Sequence, residues 1–177
     1  TTGNPKGVVY SHRSCYLHSM AVCTENNIGL GSNDRTLPIV PMFHANAWGQ
    51  PYACFMSGAD LIMPDRFLQA EPVVGLIEAE KVTLSAAVPT IFNDVLQFLR
   101  ANPGHDISSI RAIMCGGSAV PRALIKSFDE EFGITIVQGW GMTETSPVAS
   151  IAKPPAGATG ELAWDYQAKA GRLLFGV

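Results

Sequence analysis

Four clusters hold the residues with most chemistry to offer. Thr1-Thr2-Gly3-Asn4-Pro5-Lys6-Gly7 sets two hydroxyls and an ammonium among glycines. Glycine lets backbone N–H groups approach an anion and lysine adds a mobile positive charge, so the loop suits a phosphate. Gln138-Gly139-Trp140-Gly141-Met142-Thr143-Glu144-Thr145 follows an apolar run. Its flanking glycines leave the Trp140 ring accessible for stacking on a flat base. Thr143 offers a hydroxyl to phosphate, and Glu144 a hard oxygen for Mg²⁺. Gly116-Gly117-Ser118-Ala119 also follows an apolar run and would let a ligand edge come close. Pro41-Met42-Phe43-His44-Ala45-Asn46-Ala47-Trp48 brackets a histidine with aromatics, as in a pocket wall. Taken singly, each cluster also reads as structure: a solvated turn, a Trp140 core plug with Glu144 on the surface, a tight turn capped by Ser118, a packed histidine.

Other chemistries lack their motifs. There is no Gly-x-Ser-x-Gly elbow, no Walker A loop and no Gly-x-Gly-x-x-Gly fingerprint. Asp129, Glu130 and Glu131 form a charge run on a helix, read as a solvated face. His12, His18 and His105 lack functional company and are read as structural or solvated. A net charge of -3 without a basic stripe argues against nucleic acid. No apolar run is long enough to span a bilayer. Cys15, Cys23, Cys54 and Cys115 are widely spaced and read as buried or half-buried thiols in a reducing compartment, with the cytosol as default.

These clusters need elements to carry them. The 177 residues, 47% hydrophobic, suffice for one domain with a real core. Only 15% are charged, below the usual quarter or so, as if much of the segment were interior to something larger. Ser11 is a plausible N-cap for a helix reaching about Asn26. Strands are expected over 36–43, 60–63, 82–88, 110–115 and 134–137. Helices are expected over 48–56, 72–81, 89–100 and 121–132, the last closed by Gly133. Residues 153–160 read as a loop. The alternation predicts an α/β fold with a largely parallel sheet and flanking helices. Because the phosphate-like loop opens at residue one and the last residues look like a cut strand, both ends are expected to continue in a longer chain.

Together the motifs resemble the adenylate-forming superfamily of acyl-CoA synthetases, adenylation domains and luciferases. The 1–7 loop is similar to the second half of its phosphate-binding loop, and 139–145 to its adenine and magnesium motif. Residues 40–48 are similar to the gate motif of medium- and long-chain fatty acyl-CoA synthetases, where an aromatic at the Trp48 position admits the acyl chain. The resemblance implies that Thr1, Thr2, Gly3 and Lys6 contact the ATP phosphates, with Thr1 also near Mg²⁺. Trp140, in place of the commoner Tyr, would stack on adenine between Gly139 and Gly141, with Gly117 and Ser118 along the base. Thr143 would meet the α-phosphate and Glu144 would bind Mg²⁺. His44 would lie beside the acyl carboxylate, and Trp48, Val88 and Pro89 would line the acyl pocket. The chemistry would thus fall to His44, Thr143 and Glu144, with ATP, Mg²⁺ and coenzyme A as the small molecules used.

The reaction so implied joins a fatty acid to AMP and then to the CoA thiol. A non-CoA acceptor and a non-catalytic nucleotide-binding remnant are the competing readings. Residues 1–177 are expected to be part of the N-terminal AMP-binding domain, without the C-terminal lid domain that carries the adenylation lysine; alone, they are expected to be inactive. Peripheral attachment to a membrane would suit a lipid-like substrate, but no basic amphipathic helix supports it.

Overall fold

A computed structural model describes Gly3, Asn4 and residues 6–175. Its strands form one seven-stranded sheet, ordered β2-β1-β3-β4-β5-β6-β7. The parallel part comprises β2 (Asp60–Leu61), β1 (Arg35–Pro38), β3 (Leu84–Ala87), β4 (Ala112–Gly116) and β5 (Thr135–Gly141). Antiparallel β6 (Val148–Ile151) and β7 (Arg172–Leu173) complete it. The expected α/β class and parallel-rich sheet are what the chain adopts.

Both faces of the sheet are covered, which explains strands that read as continuous apolar runs. Along β4, Ile113 and Cys115 join one apolar core while Ala112 and Met114 join the other. The first core lies under α4 (Ala70–Glu80), α5 (Pro89–Ala101), α6 (Arg122–Phe132) and α7 (Gly160–Gln167). The second lies under α1 (His12–Cys23) and α3 (Gln50–Ser57). Helical spacing selects the faces: Phe92, Val95, Leu96 and Leu99 of α5 are buried, and Phe92 meets Phe128 of α6 edge-on at 6.1 Å. Ser11 and Ser14 cap α1 reciprocally, each side chain accepting from the other's N–H, and Gly133 ends α6 at φ 67°. The four cysteines are free, with Cys54 and Cys115 buried. No helix among the described residues is long and apolar enough to cross a membrane.

Several boundaries differ from the sequence reading. The strand expected over 36–43 closes at Pro38, although the Ile39 N–H still reaches the Ala86 carbonyl. Pro41 offers no N–H, and the chain turns away there. The helix expected from Trp48 starts at Gln50, after a one-turn α2 (Ala45–Trp48) with left-handed φ throughout. β5 runs past Val137 to Gly141. Both β6 and α7 lie in sequence to which no element was assigned.

One polar cluster fastens the N-terminal edge of the parallel strands. Asp34 receives two bonds from Arg111 (2.8 and 2.9 Å), one from the Thr83 hydroxyl (2.8 Å) and one from the Gly31 N–H (2.9 Å). These residues stand just before β1, β3 and β4. Burial works to raise the Asp34 pKa, but the bonds from Arg111, Gly31 and Thr83 outweigh it and hold the carboxyl below its ordinary 3.8. The stabilisation is therefore complete above that value and is lost as pH falls beneath it. Asp34→Ala should cost about 2 kcal/mol in urea unfolding at pH 7, and the gap from wild type should narrow at pH 3. A gap of the same size at both pH values would contradict this.

Candidate functional site

The site begins where side chains are missing. Gly116 and Gly139 sit opposite each other at the ends of β4 and β5. A Cβ on Gly116 would lie 2.5 Å from the Gly139 carbonyl oxygen, so this position has no room for one. At Gly117, φ is 80° and an added Cβ would come within 3.2 Å of Val88. The indole of Trp48 covers this bare floor, its Cη2 3.5 Å from the Gly116 Cβ position, and is only 8% exposed.

Beyond the floor, β5 changes register against β6 between Trp140 and Gly141. The bulge needs glycine, since a Cβ on Gly141 would meet the Pro147 carbonyl at 2.1 Å. A 3₁₀ turn, Thr143–Thr145, follows. The Thr145 hydroxyl closes it by accepting from the Met142 N–H at 2.9 Å, which leaves Thr143 and Glu144 exposed. Trp140 stands 48% exposed beside them.

A cavity of about 330 Å³ lies between these walls. His44, Ala45 and Trp48 form one side; Trp140, Gly141, Met142, Thr143 and Glu144 form the other; Met114, Gly117 and Gly139 complete the lining with Pro147 and Val148. Thus His44, Trp48, Gly117, Gly139, Trp140, Gly141, Thr143 and Glu144 are brought together. Ser118 is exposed next to Gly117 but outside the lining, and Val88 stands against Gly117 from outside it. Pro89 is not a wall of this cavity: as the first residue of α5 it is buried and faces a separate groove between α5 and α6. Gly3 and Lys6 are exposed and do not line the cavity. Thr1 and Thr2 lie outside the described residues.

Among the described residues no group of three His, Cys, Asp or Glu side chains could hold a metal. A single carboxylate such as Glu144 nonetheless suits Mg²⁺, which usually keeps waters and takes phosphate oxygens as further ligands.

Two residues matter here to which the sequence reading gives no role at the site. Gln138 is buried in β5, accepts from the Val120 N–H at 2.6 Å and donates to the Lys169 carbonyl at 2.7 Å. It thereby anchors the Gly116–Val120 loop to the end of α7. Its signal was an amide within an apolar run, since a buried amide must find partners. His18, read as structural or solvated, is the former. It is buried, its Nε2 accepts from the Val148 N–H at 3.4 Å, and burial lowers its pKa to about 4.

Comparison with known proteins identifies the family and the fold. Residues 1–177 match the family model described as AMP-binding enzyme. A 3-methylmercaptopropionyl-CoA ligase of Ruegeria pomeroyi is 46% identical over 156 residues, covering 88% of this chain and 29% of that protein. A long-chain-fatty-acid–CoA ligase of Thermus thermophilus is 46% identical over 148 residues, covering 84% and 27%. The chain therefore spans under a third of the length of either relative. An O-succinylbenzoate coenzyme A synthetase of Bacillus subtilis, solved with ATP and magnesium ion, shares the fold at a TM-score of 0.79 and 28% identity, covering 98% of this chain and 34% of that one.

The buried His18 sets a pH window separate from that of Asp34. Unfolded, the imidazole gains a proton near 6.5; folded, it resists until about 4. Stability should fall by on the order of 3 kcal/mol as pH drops between those values. His18→Gln should flatten that part of the profile in urea titrations, and an unchanged slope would contradict the assignment.

Proposed function

The chain belongs to the AMP-binding enzyme family, and from that premise we propose that the whole protein activates a medium- or long-chain fatty acid. ATP and the acid would give an acyl-adenylate and pyrophosphate, and the acyl group would then pass to coenzyme A. The observation that carries this reading is the single strand-end cavity shared by Trp140, Thr143 and Glu144 on one wall and His44 and Trp48 on the other.

The division of labour follows from residue chemistry. The exposed Trp140 ring, between two glycines, offers a stacking face to adenine. The Thr143 hydroxyl donates to the α-phosphate. Glu144 holds Mg²⁺, which supplies positive charge to the phosphate oxygens. His44 sits on the opposite wall beside the acyl carboxylate. A carboxylate oxygen attacks the α-phosphorus as the bond to pyrophosphate breaks; the CoA sulfur then attacks the acyl carbon and AMP leaves. The substrate carboxylate is itself the nucleophile, so this chemistry needs no activated serine or cysteine. The protein's task is to align two anions and balance their charge.

A fatty acyl substrate is supported by the likeness of residues 40–48 to a fatty acyl gate and by the Thermus relative. The Ruegeria relative is named for a shorter, sulfur-containing acid, so the assay should span chain lengths. Pyrophosphate release by the whole protein, with C4 to C18 acids, should peak at C8 or longer. Glu144→Gln should lower it about 100-fold, and Trp140→Ala should raise the KM for ATP about tenfold. A preference for C4, or an ATP KM indifferent to Trp140, would count against the proposal.

A further inference from the structure

The wall that carries Trp48 is an unusual piece of backbone. Ala45, Asn46, Ala47 and Trp48 have φ values of 46, 53, 50 and 55°, and Gly49 follows at 73°. Residues with a Cβ visit this region singly and at a cost, so four in succession persist only where their surroundings hold them. Ala47 and Trp48 are buried, but neither explains what fixes the exit of the turn.

That exit is pressed against His18. A Cβ on Gly49 would lie 2.8 Å from both Cε1 and Nδ1 of the imidazole, so backbone and ring are in direct contact. The ring's other nitrogen, Nε2, accepts from the Val148 N–H. Val148 begins β6, follows Pro147 at the bulge, and lines the same cavity as Trp48 and Glu144. One imidazole thus touches the segment behind each wall: the turn bearing Trp48 on one side, and on the other the strand that returns from Thr143 and Glu144. Burial keeps this ring neutral, so Nε2 remains an acceptor at ordinary pH.

We propose that His18 is a positioning residue that braces the Ala45–Gly49 turn against β6, fixing Trp48 over the Gly116–Gly117 floor and linking the acyl-side wall to the nucleotide-side wall. The kinetic consequence rests on the function proposed above; the brace itself does not. Without the ring, the strained turn relaxes, Trp48 leaves its seat and the acyl side loses definition first.

The test reads Trp48 directly. Acrylamide quenching of each protein is compared with that of its Trp48→Phe counterpart, so the difference reports Trp48 alone. His18→Ala should raise the Trp48 quenching constant at least threefold, and His18→Gln, which keeps an acceptor, should return it to within 1.5-fold of wild type. Gly49→Ala should act like His18→Ala, and should have a smaller effect in a protein already carrying His18→Ala, because the clash with the ring is gone and only the left-handed strain at Gly49 remains. In the whole protein, His18→Ala should raise the KM for the fatty acid about tenfold and leave the KM for ATP within twofold. Quenching unchanged in His18→Ala would overturn the brace, as would equal loss in His18→Ala and His18→Gln. A protein that lacks pyrophosphate release but shows the quenching pattern would refute the proposed function while leaving the brace intact.

Discussion

Everything at this site depends on two strands meeting without side chains. At the ends of β4 and β5 the Gly139 carbonyl stands where a Cβ of Gly116 would have to go. Glycine inside a strand sacrifices chain entropy and packing, roughly 1 kcal/mol per residue against alanine, so something else must hold these ends in register. Gln138 does so from beneath, spending its amide on Val120 and Lys169, and the indole of Trp48 does so from above. The resulting floor is bare of side chains at its glycines, with His44, Thr143 and Glu144 at its rim.

Topology explains why the rim residues converge. In a parallel sheet every strand ends on the same edge, and ligands gather beyond those carboxyl ends. His44 follows β1, Val88 follows β3, Gly117 follows β4, and Trp140 to Glu144 close β5. The opposite edge holds Asp34, Thr83 and Arg111 just before β1, β3 and β4, where a dense hydrogen-bonded cluster fixes the strands without approaching the cavity. Ion pairs elsewhere, such as Arg100 with Glu131 and Arg122 with Asp165, sit on exposed helix surfaces and add little individually. The stabilising cluster and the proposed site thus occupy opposite edges of one sheet.

The sequence made much of this legible because the motifs fall directly after apolar runs. Alternation of short apolar runs with helical spacing was enough for the α/β class, and Ser11 and Gly133 marked their helix ends through ordinary cap chemistry. What stayed hidden depends on long-range contact. α7 escaped because Ala163, Trp164 and Gln167 make too short a stripe; it becomes a face only when Trp164 packs in the core and donates to Asp129 of α6. β6 escaped because its pairing with β5 is set by the bulge at Gly141, which local sequence does not announce. Pro89 is assigned to the acyl pocket by the resemblance alone, and the helix it opens turns it toward α6. His18 could not be distinguished from a solvated histidine until Gly49 and Val148 were seen on either side of it.

The central claim is that the cavity between Trp48 and Trp140 receives an adenine nucleotide. Photolabelling with 8-azido-ATP and peptide mapping tests it most directly, because the azide reports what lies next to the base. The account predicts ATP-protected label on residues 139–145 or 116–119. Label confined to the groove between α5 and α6, or label that excess ATP does not displace, would contradict it.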